Sequence, residues 1–369
     1  MLSTLLRLLP MAEKVIDRRS SLSILKSICV EGGMARVTDL ETTLVMPVPD
    51  ERSYTLPVAL LSKVLKTKPH SLKIVLEKDK VNLGYDGSIL SYKGGKEDDF
   101  PKIPGGKYKP MGLWHRDVFQ ALAGQANSCG KEDLKPALQG VHTDIRDGQM
   151  TLSATDSHLL RIQNGLDVSR AKPLSGILPT GPLGLLMRLA RGHTKIGLSE
   201  THLCFALPGE VTLYVRLIDE TYPDVKSVVP KEFTGEVLLD KDKVLALIKG
   251  AKPFADRTTH LSIWEIDPEG GTLKIENREE ELSWMAPLPV TRFKGEGIKI
   301  GFDLGLFERA LQSQQSPLVR WKYVNPNAGT VLIEEGEEWQ SGAVTVVMPI
   351  RLKEEENANK RRDRLPAAA

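Results

Sequence analysis

The sequence predicts an α+β protein made of three repeated domains, each with two helices packed on antiparallel sheets. Two stretches that share a Thr-Asp step, "ARVTDLETTLV" (35–45) and "LSATDSHLLRI" (152–162), lie about 120 residues apart. They are followed by "LPVALLSKVLKT" from Leu56 and "LPTGPLGLLMRLARG" from Leu178. Both of these open with Leu-Pro and continue with leucines at helical spacing. The same elements therefore recur in the same order.

A third copy of this plan is fainter. An amphipathic helix is predicted at "VLLDKDKVLALIKGA" from Val237, which matches "LWHRDVFQALAGQA" from Leu113, and a second helix at "FDLGLFERALQ" from Phe302. Between the helices, "SLKIVLEKDKVNLGY" and "HLSIWEI" alternate apolar and polar residues, as strands with one buried face do. In "GTLKIENREEELSWM" we expect a strand, a turn and a second strand.

The repeat sets the expected domain boundaries. A chain of 369 residues is too long for one ordinary core and suits two or three domains. We expect domains at 1–109, 110–233 and 234–352. The remaining segment, 353–369, has blocks of charge and closing alanines, which predict a disordered tail.

Composition excludes several classes of protein. With 50 basic and 48 acidic side chains, the net charge indicates no particular partner. Cys29, Cys129 and Cys204 lie far apart without C-x-x-C spacing, which argues against a disulfide frame and a zinc site and favours a reducing cytoplasm. We expect no cofactor and no metal. The apolar start "MLSTLLRLLP" is interrupted by Arg7 and Pro10, so we expect neither a signal peptide nor a membrane span.

The Thr-Asp steps end strands, so Asp39 and Asp156 are predicted to cap turns by accepting backbone N–H bonds. His158 has no counterpart in the first copy and is the better functional candidate. Asp156 with His158 leaves open a metal-dependent nucleic-acid hydrolase, but such an enzyme would need a nucleophile with its base or a carboxylate cluster. In "HTDIRD" from His142, strand alternation places His142 and Asp144 on one face and Asp147 in the turn, which is no metal cage.

Several motifs in order resemble those of the bacterial sliding clamp, the β subunit of the replicative DNA polymerase III. They are "LKPALQGVHTDIRDGQMTLSATDSHLLRI", "YPDVKSVVP", "IGFDLGLFERAL" and "VTVVMPIRL". The resemblance implies the DNA clamp fold and a head-to-tail homodimer that closes a ring around duplex DNA. It also implies a processivity factor without catalytic residues, which tethers DNA polymerase, the clamp loader and repair proteins through short peptide motifs.

Helix dimensions agree with a dimeric ring. Six helices side by side at about 9 Å would close a circle about 17 Å across, leaving a hole of about 7 Å. Twelve helices from two chains would give about 34 Å and a hole of about 24 Å, just wider than a duplex of about 20 Å. Encirclement of DNA therefore requires two chains.

The resemblance also implies where partner peptides bind. Their pocket would lie between the second and third domains, so "TDSHLL" would be a pocket wall rather than an active site. Carried over by motif, the pocket residues are Leu138, Thr155, His158, Leu160, Pro223, Val228, Val346, Met348, Pro349, Ile350 and Arg351. Small apolar and methionine side chains suit a groove that accepts many peptides.

Two further sets of residues are expected to serve the ring. Basic residues of the predicted helices would line the DNA channel and hold phosphates without reading bases; they are Arg7, Lys14, Lys63, Lys66, Arg188, Arg191, Lys195, Lys249 and Lys252. Scattered charges that only keep helices soluble are the alternative. The dimer seam would join domain 1 to domain 3 of the partner, with Phe100, Ile103 and Phe254 as its hydrophobic residues.

The chain also departs from the family. Ser227 stands where many members have a basic residue, and Asp303 and Leu306 stand where asparagine and an aromatic residue are common. The chain begins late relative to the family, without most of its first strand. These departures leave open a specialised or accessory clamp that serves repair or a mobile element.

Overall fold

The computed structural model describes residues 1–78, 80–94, 99–132, 134–278, 283–290, 292–338 and 342–352. The predicted tail, 353–369, lies outside them. Contacts divide the chain into two units. Unit 1 comprises Met1–Ala123, Asp144–Gly148 and Val168–Glu220, and unit 2 comprises Gly124–Thr143, Gln149–Asp167 and the chain from Thr221. Among the described residues, no helix is long and apolar enough to cross a membrane.

Six α-helices lie within the described residues, two in each predicted repeat, as the sequence indicated. They are α1 (Leu2–Val15), α2 (Val58–Lys66), α3 (Arg116–Gln125), α4 (Leu183–Leu189), α5 (Lys241–Ala251) and α6 (Leu304–Gln312).

The helices form where apolar residues recur at helical spacing. In α2 the buried side chains are Val58, Leu61, Val64 and Leu65, which make one stripe toward the core. Unit 2's helices begin at aspartates. The Asp240 carboxylate accepts a hydrogen bond from the Lys243 N–H and so caps the first turn of α5.

The strands follow the predicted runs. They are β1 (Ser27–Glu31), β2 (Met34–Thr38), β3 (Thr42–Pro47), β4 (Tyr54–Pro57), β5 (Lys73–Glu77), β6 (Lys80–Tyr85), β7 (Ser88–Lys93), β8 (Lys109–His115), β9 (Gly140–Arg146), β10 (Gln149–Thr155), β11 (Leu159–Asp167), β12 (Leu174–Pro179), β13 (His193–Leu198), β14 (His202–Leu207), β15 (Val211–Arg216), β16 (Gly235–Asp240), β17 (Leu261–Asp267), β18 (Thr272–Arg278), β19 (Ser283–Pro289), β20 (Phe293–Gly295), β21 (Ile298–Asp303), β22 (Leu318–Tyr323), β23 (Thr330–Glu334) and β24 (Ala343–Val347).

Unit 1 contains an eight-stranded sheet in the order β4-β1-β2-β3-β15-β14-β13-β8 and a three-stranded sheet, β5-β6-β7. The antiparallel pair β3 and β15 joins the first repeat to the second, with Thr42 opposite Val215 and Thr43 opposite Tyr214. Trp114, Phe119 and Phe205 pack edge to face or tilted in its core, which is favourable for aromatic rings.

Unit 2 repeats this arrangement. It contains most strands of a nine-stranded sheet, among them the consecutive run β10-β11-β24-β23-β22-β16-β20, and a four-stranded sheet, β19-β18-β17-β21. Here β11 pairs with β24 and so joins the second repeat to the third. The core holds five aromatic side chains in mutual contact: Trp264, Phe302, Phe307, Trp321 and Tyr323.

The predicted second domain is divided between the two units. Its strands β12 to β15 lie in unit 1 with the first repeat, whereas β10 and β11 lie in unit 2 with the third. Backbone pairing across the repeat boundaries, of β3 with β15 and of β11 with β24, places strands of neighbouring repeats in one sheet. The boundaries at 109, 233 and 352 remain predictions.

Asp39 and Asp156 occupy the same turn in two repeats. The Oδ1 atom of Asp39 accepts hydrogen bonds from the N–H groups of Glu41 (3.0 Å) and Thr42 (2.6 Å). The Oδ1 atom of Asp156 accepts hydrogen bonds from the N–H groups of His158 (2.9 Å) and Leu159 (2.7 Å). In both turns the residue after the aspartate is left-handed, with φ of 81° at Leu40 and 82° at Ser157. The predicted capping role is confirmed.

Burial raises the pKa of the Asp39 carboxyl, although its backbone hydrogen bonds with Thr42 and Glu41 act in the opposite direction. Between the unfolded and folded pKa values the folded protein therefore binds more protons than the unfolded chain. Stability is lost as pH rises through this window, and above it the ionised carboxylate carries the full penalty.

Asp39→Asn should keep the turn, because the amide oxygen can accept the same two hydrogen bonds, and should remove the penalty of a half-buried charge. We expect the variant's unfolding midpoint at neutral pH to equal that of the wild type or exceed it by up to about 3 °C. The difference should disappear in acid, where Asp39 is protonated in the folded and unfolded states. Scanning fluorimetry across pH measures this, and a clear loss of stability at neutral pH would contradict it.

Candidate functional site

The turn after β10 presents His158 at the surface of unit 2. Besides the two hydrogen bonds to Asp156, the Thr155 hydroxyl accepts a hydrogen bond from the Ser157 N–H at 3.1 Å. These bonds fix the backbone from Thr155 to Leu159, while the side chains of Ser157 and His158 are exposed. The local sequence therefore builds a rigid support for a solvent-facing histidine.

The pairing of β11 with β24 brings the end of the chain to this turn. Leu160 lies opposite Val346 in the ladder. Beyond the ladder, the Met348 N–H donates to the His158 carbonyl oxygen at 2.9 Å. Ile350 is held separately, because its N–H donates to the Gly301 carbonyl oxygen at 2.8 Å. The two motifs singled out in the sequence are thus joined by main-chain hydrogen bonds.

An apolar layer lies beneath this junction. Leu160 and Val346 are buried together with Ile162, Val229, Val331, Ile333 and Val344. At the edge of the layer, Val228 and Met348 leave 54% and 39% of their surface exposed. A Cβ atom at Gly329 would lie 3.2 Å from the Met348 sulfur, so the absence of a side chain there gives the thioether its place. We call the surface formed by these residues and the His158 turn the junction groove.

The last segment of the second repeat also packs on this part of unit 2, with Val225 against the apolar layer. The Tyr222 hydroxyl donates to the Ser153 carbonyl oxygen at 3.2 Å, and its ring stacks on His142 with centroids 4.8 Å apart. Burial raises the pKa of the Tyr222 phenol, so this hydroxyl stays a donor. The Ser227 hydroxyl donates to the Asp224 carbonyl oxygen and therefore stabilises its own turn. Pro223 is exposed beside it.

A second depression, the α6 cleft, has a volume of about 310 Å³. Two predicted pocket residues, Leu138 and His158, lie in its wall. So do both unusual residues of the third repeat, and Asp303 is the N-cap of α6, accepting from the Gly305 and Leu306 N–H groups. The full lining is Cys129, Gly130, Lys131, Glu132, Lys135, Leu138, Asp156, His158, Asp303, Leu306 and Arg309.

The chemistry of the cleft argues against a hydrolase. Asp156 uses one oxygen for two backbone N–H groups and the other for the Arg309 guanidinium, at 2.6 Å. Burial raises the pKa of the Cys129 thiol to about 12, so it is no thiolate nucleophile. Among the described residues, no group of three His, Cys, Asp or Glu side chains could hold a metal ion.

The first repeat provides an internal comparison. At the junction of β3 with β15, the Arg216 N–H donates to the Glu41 carbonyl oxygen at 2.8 Å, which repeats the bond between Met348 and His158. The side chains differ, however, because Arg216 and Glu41 form an ion pair at 3.6 Å. The same backbone thus carries a charged pair in unit 1 and an apolar edge in unit 2.

The predicted basic residues have different surroundings. In unit 1, Lys63 and Lys66 lie with Arg18 and Lys26 along a groove beside α1 and α2. Arg7 donates to the Gly209 carbonyl oxygen and Arg188 to that of Pro10. In unit 2, Lys252 pairs with Glu308. Four of the predicted channel residues are exposed and form no such hydrogen bond or ion pair among the described residues; they are Lys14, Arg191, Lys195 and Lys249.

The predicted helical location was wrong for some of these residues. Lys195 lies on β13, because the alternation from His193 to Leu198 is that of a strand. Arg191 follows the end of α4, and Lys252 begins a 3₁₀ turn after α5. Sequence reasoning missed Arg18 and Lys26, which join Lys63 only in the folded unit. It also missed Arg309, whose partner lies in another repeat.

Comparisons with known proteins agree with this architecture. A family model described as the central domain of the DNA polymerase III beta subunit matches residues 115–224. The beta sliding clamp of Synechococcus elongatus is 22% identical over 85% of both chains. That of Pseudomonas aeruginosa is 25% identical over 94% of this chain and 98% of its own.

Solved structures give the same result. A crystal structure of the DNA polymerase III beta chain from Streptococcus pneumoniae matches with a TM-score of 0.87 and 16% identity. The match covers 95% of this chain and 98% of the other. The DNA clamp fold and the resemblance that the sequence motifs indicated are therefore confirmed.

Proposed function

We propose that this chain is a DNA sliding clamp, a homodimeric ring that encircles duplex DNA in the cytoplasm and tethers DNA polymerase and other factors. The observation that carries this proposal is the junction groove, an apolar edge that a clamp-like fold forms at one of its two equivalent repeat junctions. The relatives named as beta sliding clamps, which this chain resembles along most of its length, support it. In this proposal the protein has no catalytic role.

The groove suits a short, partly apolar peptide. Leu160 and Val346 supply a buried floor, while Val228 and Met348 supply exposed apolar surface at its edge. Methionine is unbranched and polarisable, so one groove can adapt to several peptides. The equivalent position of unit 1 carries the ion pair of Glu41 and Arg216 instead, which offers no such surface. Peptide binding is therefore proposed for unit 2 alone.

The altered residues at the α6 cleft and beside the junction groove favour a shifted choice of partners. Asp303 and Leu306 line the α6 cleft, and Ser227 brings no positive charge to the groove. A specialised or accessory clamp that serves repair or a mobile element is therefore the second candidate. The two candidates share the ring and the groove and differ in which peptides bind.

Two sheet edges are suited to form the dimer seam. Strand β7 is an edge of the three-stranded sheet in unit 1, and β19 is an edge of the four-stranded sheet in unit 2. Ile89 on β7 and Met285 on β19 are 74% and 53% exposed. Unpaired edges with apolar side chains are templates for pairing with another chain. We propose that β7 of one protomer meets β19 of the other, at two seams per ring.

This seam changes the residues expected for it. Phe100 is only 3% exposed, and the Arg36 guanidinium lies over its ring, so it has little surface to offer a partner. Ile103 remains partly exposed. Phe254 stacks on Trp284 of β19, with centroids 6.3 Å apart, and so stays beside the proposed seam.

For DNA, the basic groove beside α1 and α2 is the best candidate contact. Arg18, Lys63 and Lys66 are exposed there, with Lys26 partly exposed beside them. Such a surface would bind phosphates without sequence preference and weakly at high salt. The hold on DNA would then come from ring closure rather than from contacts.

Met348→Ala should lower the affinity for a fluorescein-labelled clamp-binding peptide of a replicative polymerase by about 5- to 150-fold, because apolar contact area is lost. His158→Ala should weaken the same peptide. The matched control is Met187→Ala, which removes an equally exposed methionine from α4 in unit 1 and should change nothing. Fluorescence anisotropy measures all three. Wild-type affinity in both groove variants, with the dimer intact, would mean that the groove is assigned wrongly.

Ile89→Lys should raise the dimer dissociation constant by about 10- to 100-fold, because a charge enters an apolar seam. Val75→Lys is the control, since Val75 is exposed on β5, the opposite edge of the same sheet. Light scattering over a dilution series distinguishes the two. A wild type that is monomeric at micromolar concentration would contradict the proposed ring.

A ring loaded by its clamp loader onto nicked circular duplex should survive high salt and leave when the circle is cut, because topology holds it there. Affinity for short linear duplex should be weak and fall steeply with salt. Gel filtration of loaded DNA, before and after linearisation, measures retention. Equal retention on linear and circular DNA, or strong preference for one base sequence, would contradict encirclement.

A further inference from the structure

Arg309 connects three separate segments around the α6 cleft. Arg309 lies on α6. Its Nη2 is 2.6 Å from the Asp156 carboxylate, and its Nη1 donates to the Asn127 carbonyl oxygen at 3.1 Å. Asn127 lies in the 3₁₀ turn Ala126–Ser128 that follows α3. One side chain of the third repeat therefore holds two backbone segments of the second.

The Asp156 carboxylate connects Arg309 to the His158 turn. Its Oδ1 accepts the N–H groups of His158 and Leu159, while its Oδ2 faces the guanidinium. A shift of α6 would therefore act on the turn through one rigid carboxylate. The same backbone also carries the His158 carbonyl oxygen, which accepts from the Met348 N–H. The ion pair thus reaches both the α6 cleft and the junction groove.

The first repeat indicates that the turn does not require an arginine. Asp39 makes the same two backbone hydrogen bonds at closely similar lengths. Within the part of the chain that the structure describes, it forms no ion pair, and burial raises its pKa. The turn therefore forms from Asp and Thr alone. The pair of Arg309 and Asp156 must serve something other than building the turn.

We infer that Arg309 is a positioning residue of the proposed peptide site, which comprises the junction groove and the α6 cleft. Its ion pair with Asp156 holds the His158 turn against α6 and so fixes the distance between the two walls before a peptide binds. The inference rests on the proposed function. Arg309 is 35% exposed and Asp156 is 15% exposed, so solvent screens the pair and limits its effect on global stability. Its effect on affinity is larger, because a wall fixed in advance does not have to be ordered when the peptide binds.

A double-mutant cycle tests this inference. Arg309→Gln removes the charge and keeps a polar side chain, and Asp156→Asn removes the partner charge and keeps the oxygen that the turn requires. Each variant should bind the labelled polymerase peptide about 3- to 10-fold more weakly than the wild type. The affinity of the double variant should be no lower than that of the single variant that binds less tightly. Arg309→Lys should lie between, because an ammonium can pair with Asp156 without also reaching Asn127.

The control is Arg292→Gln, which removes another half-exposed ion pair of unit 2, with Glu335 at 3.0 Å. It should leave peptide affinity unchanged. Hydrogen exchange at the His158 and Leu159 amides should be faster in Arg309→Gln, with the unfolding midpoint within about 2 °C of the wild type. Wild-type affinity in Arg309→Gln, or additive losses in the double variant, would overturn the inference.

The cycle also separates this inference from the proposed function. If Met348→Ala weakens the peptide and Arg309→Gln does not, the groove stands and the positioning role falls. If the wild type binds no clamp peptide at all, both fall. If Arg309→Gln fails to fold while Arg309→Lys folds and binds as the wild type does, the pair is structural and the positioning role is refuted.

Discussion

The structure depends on antiparallel strand pairing across the repeat boundaries. β3 with β15 and β11 with β24 each join strands of different repeats into one sheet. Main-chain hydrogen bonds in such a ladder are satisfied only when the register is kept, and a slip of one residue would turn every buried side chain to the other face. Register therefore fixes which side chains meet at the junction, and the junction groove follows from it. The Asp156 turn is placed by the same constraint, because it leads directly into β11, whose pairing with β24 begins at Leu159.

Two equivalent junctions with different side chains explain why one of them is suited to binding. Both contain the Thr-Asp turn, a left-handed residue after it and a main-chain bond to the strand of the next repeat. At the first, Glu41 and Arg216 satisfy each other's charge and leave little for a ligand to gain. At the second, His158 and Met348 take those places, so apolar surface stays exposed at the edge of a buried layer. The proposed difference in function between the two junctions therefore rests on different side chains on a shared backbone.

Much of this could be predicted from the sequence. Helical spacing of leucines predicted α2 and α6, alternation predicted β5, β6 and β17, and the Thr-Asp steps predicted the capped turns. Those signals are local, so a short window of sequence contains them. Phe100 could not be placed this way, because its burial arises in the folded unit, where the guanidinium of Arg36 from a distant strand lies over its ring. The ion pair of Arg309 and Asp156 could not be predicted either, because the two residues are 153 positions apart and no local sequence pattern connects them. The assignment of Leu160 and Val346 to one groove came from the family resemblance, not from periodicity.

Arg309 shows how a repeat protein can gain a specific site without changing its repeat. The turn itself is complete with Asp156 and Thr155, as its counterpart with Asp39 and Thr38 demonstrates. Arg309 on the neighbouring helix links the turn to α6 and forms an ion pair with the partly buried Asp156 carboxylate. In the first repeat, burial raises the pKa of the Asp39 carboxyl. Arg309 therefore gives the second junction a link to a helix of the next repeat. If the proposed peptide site is there, such a link lowers the cost of ordering its wall when a short, flexible peptide binds.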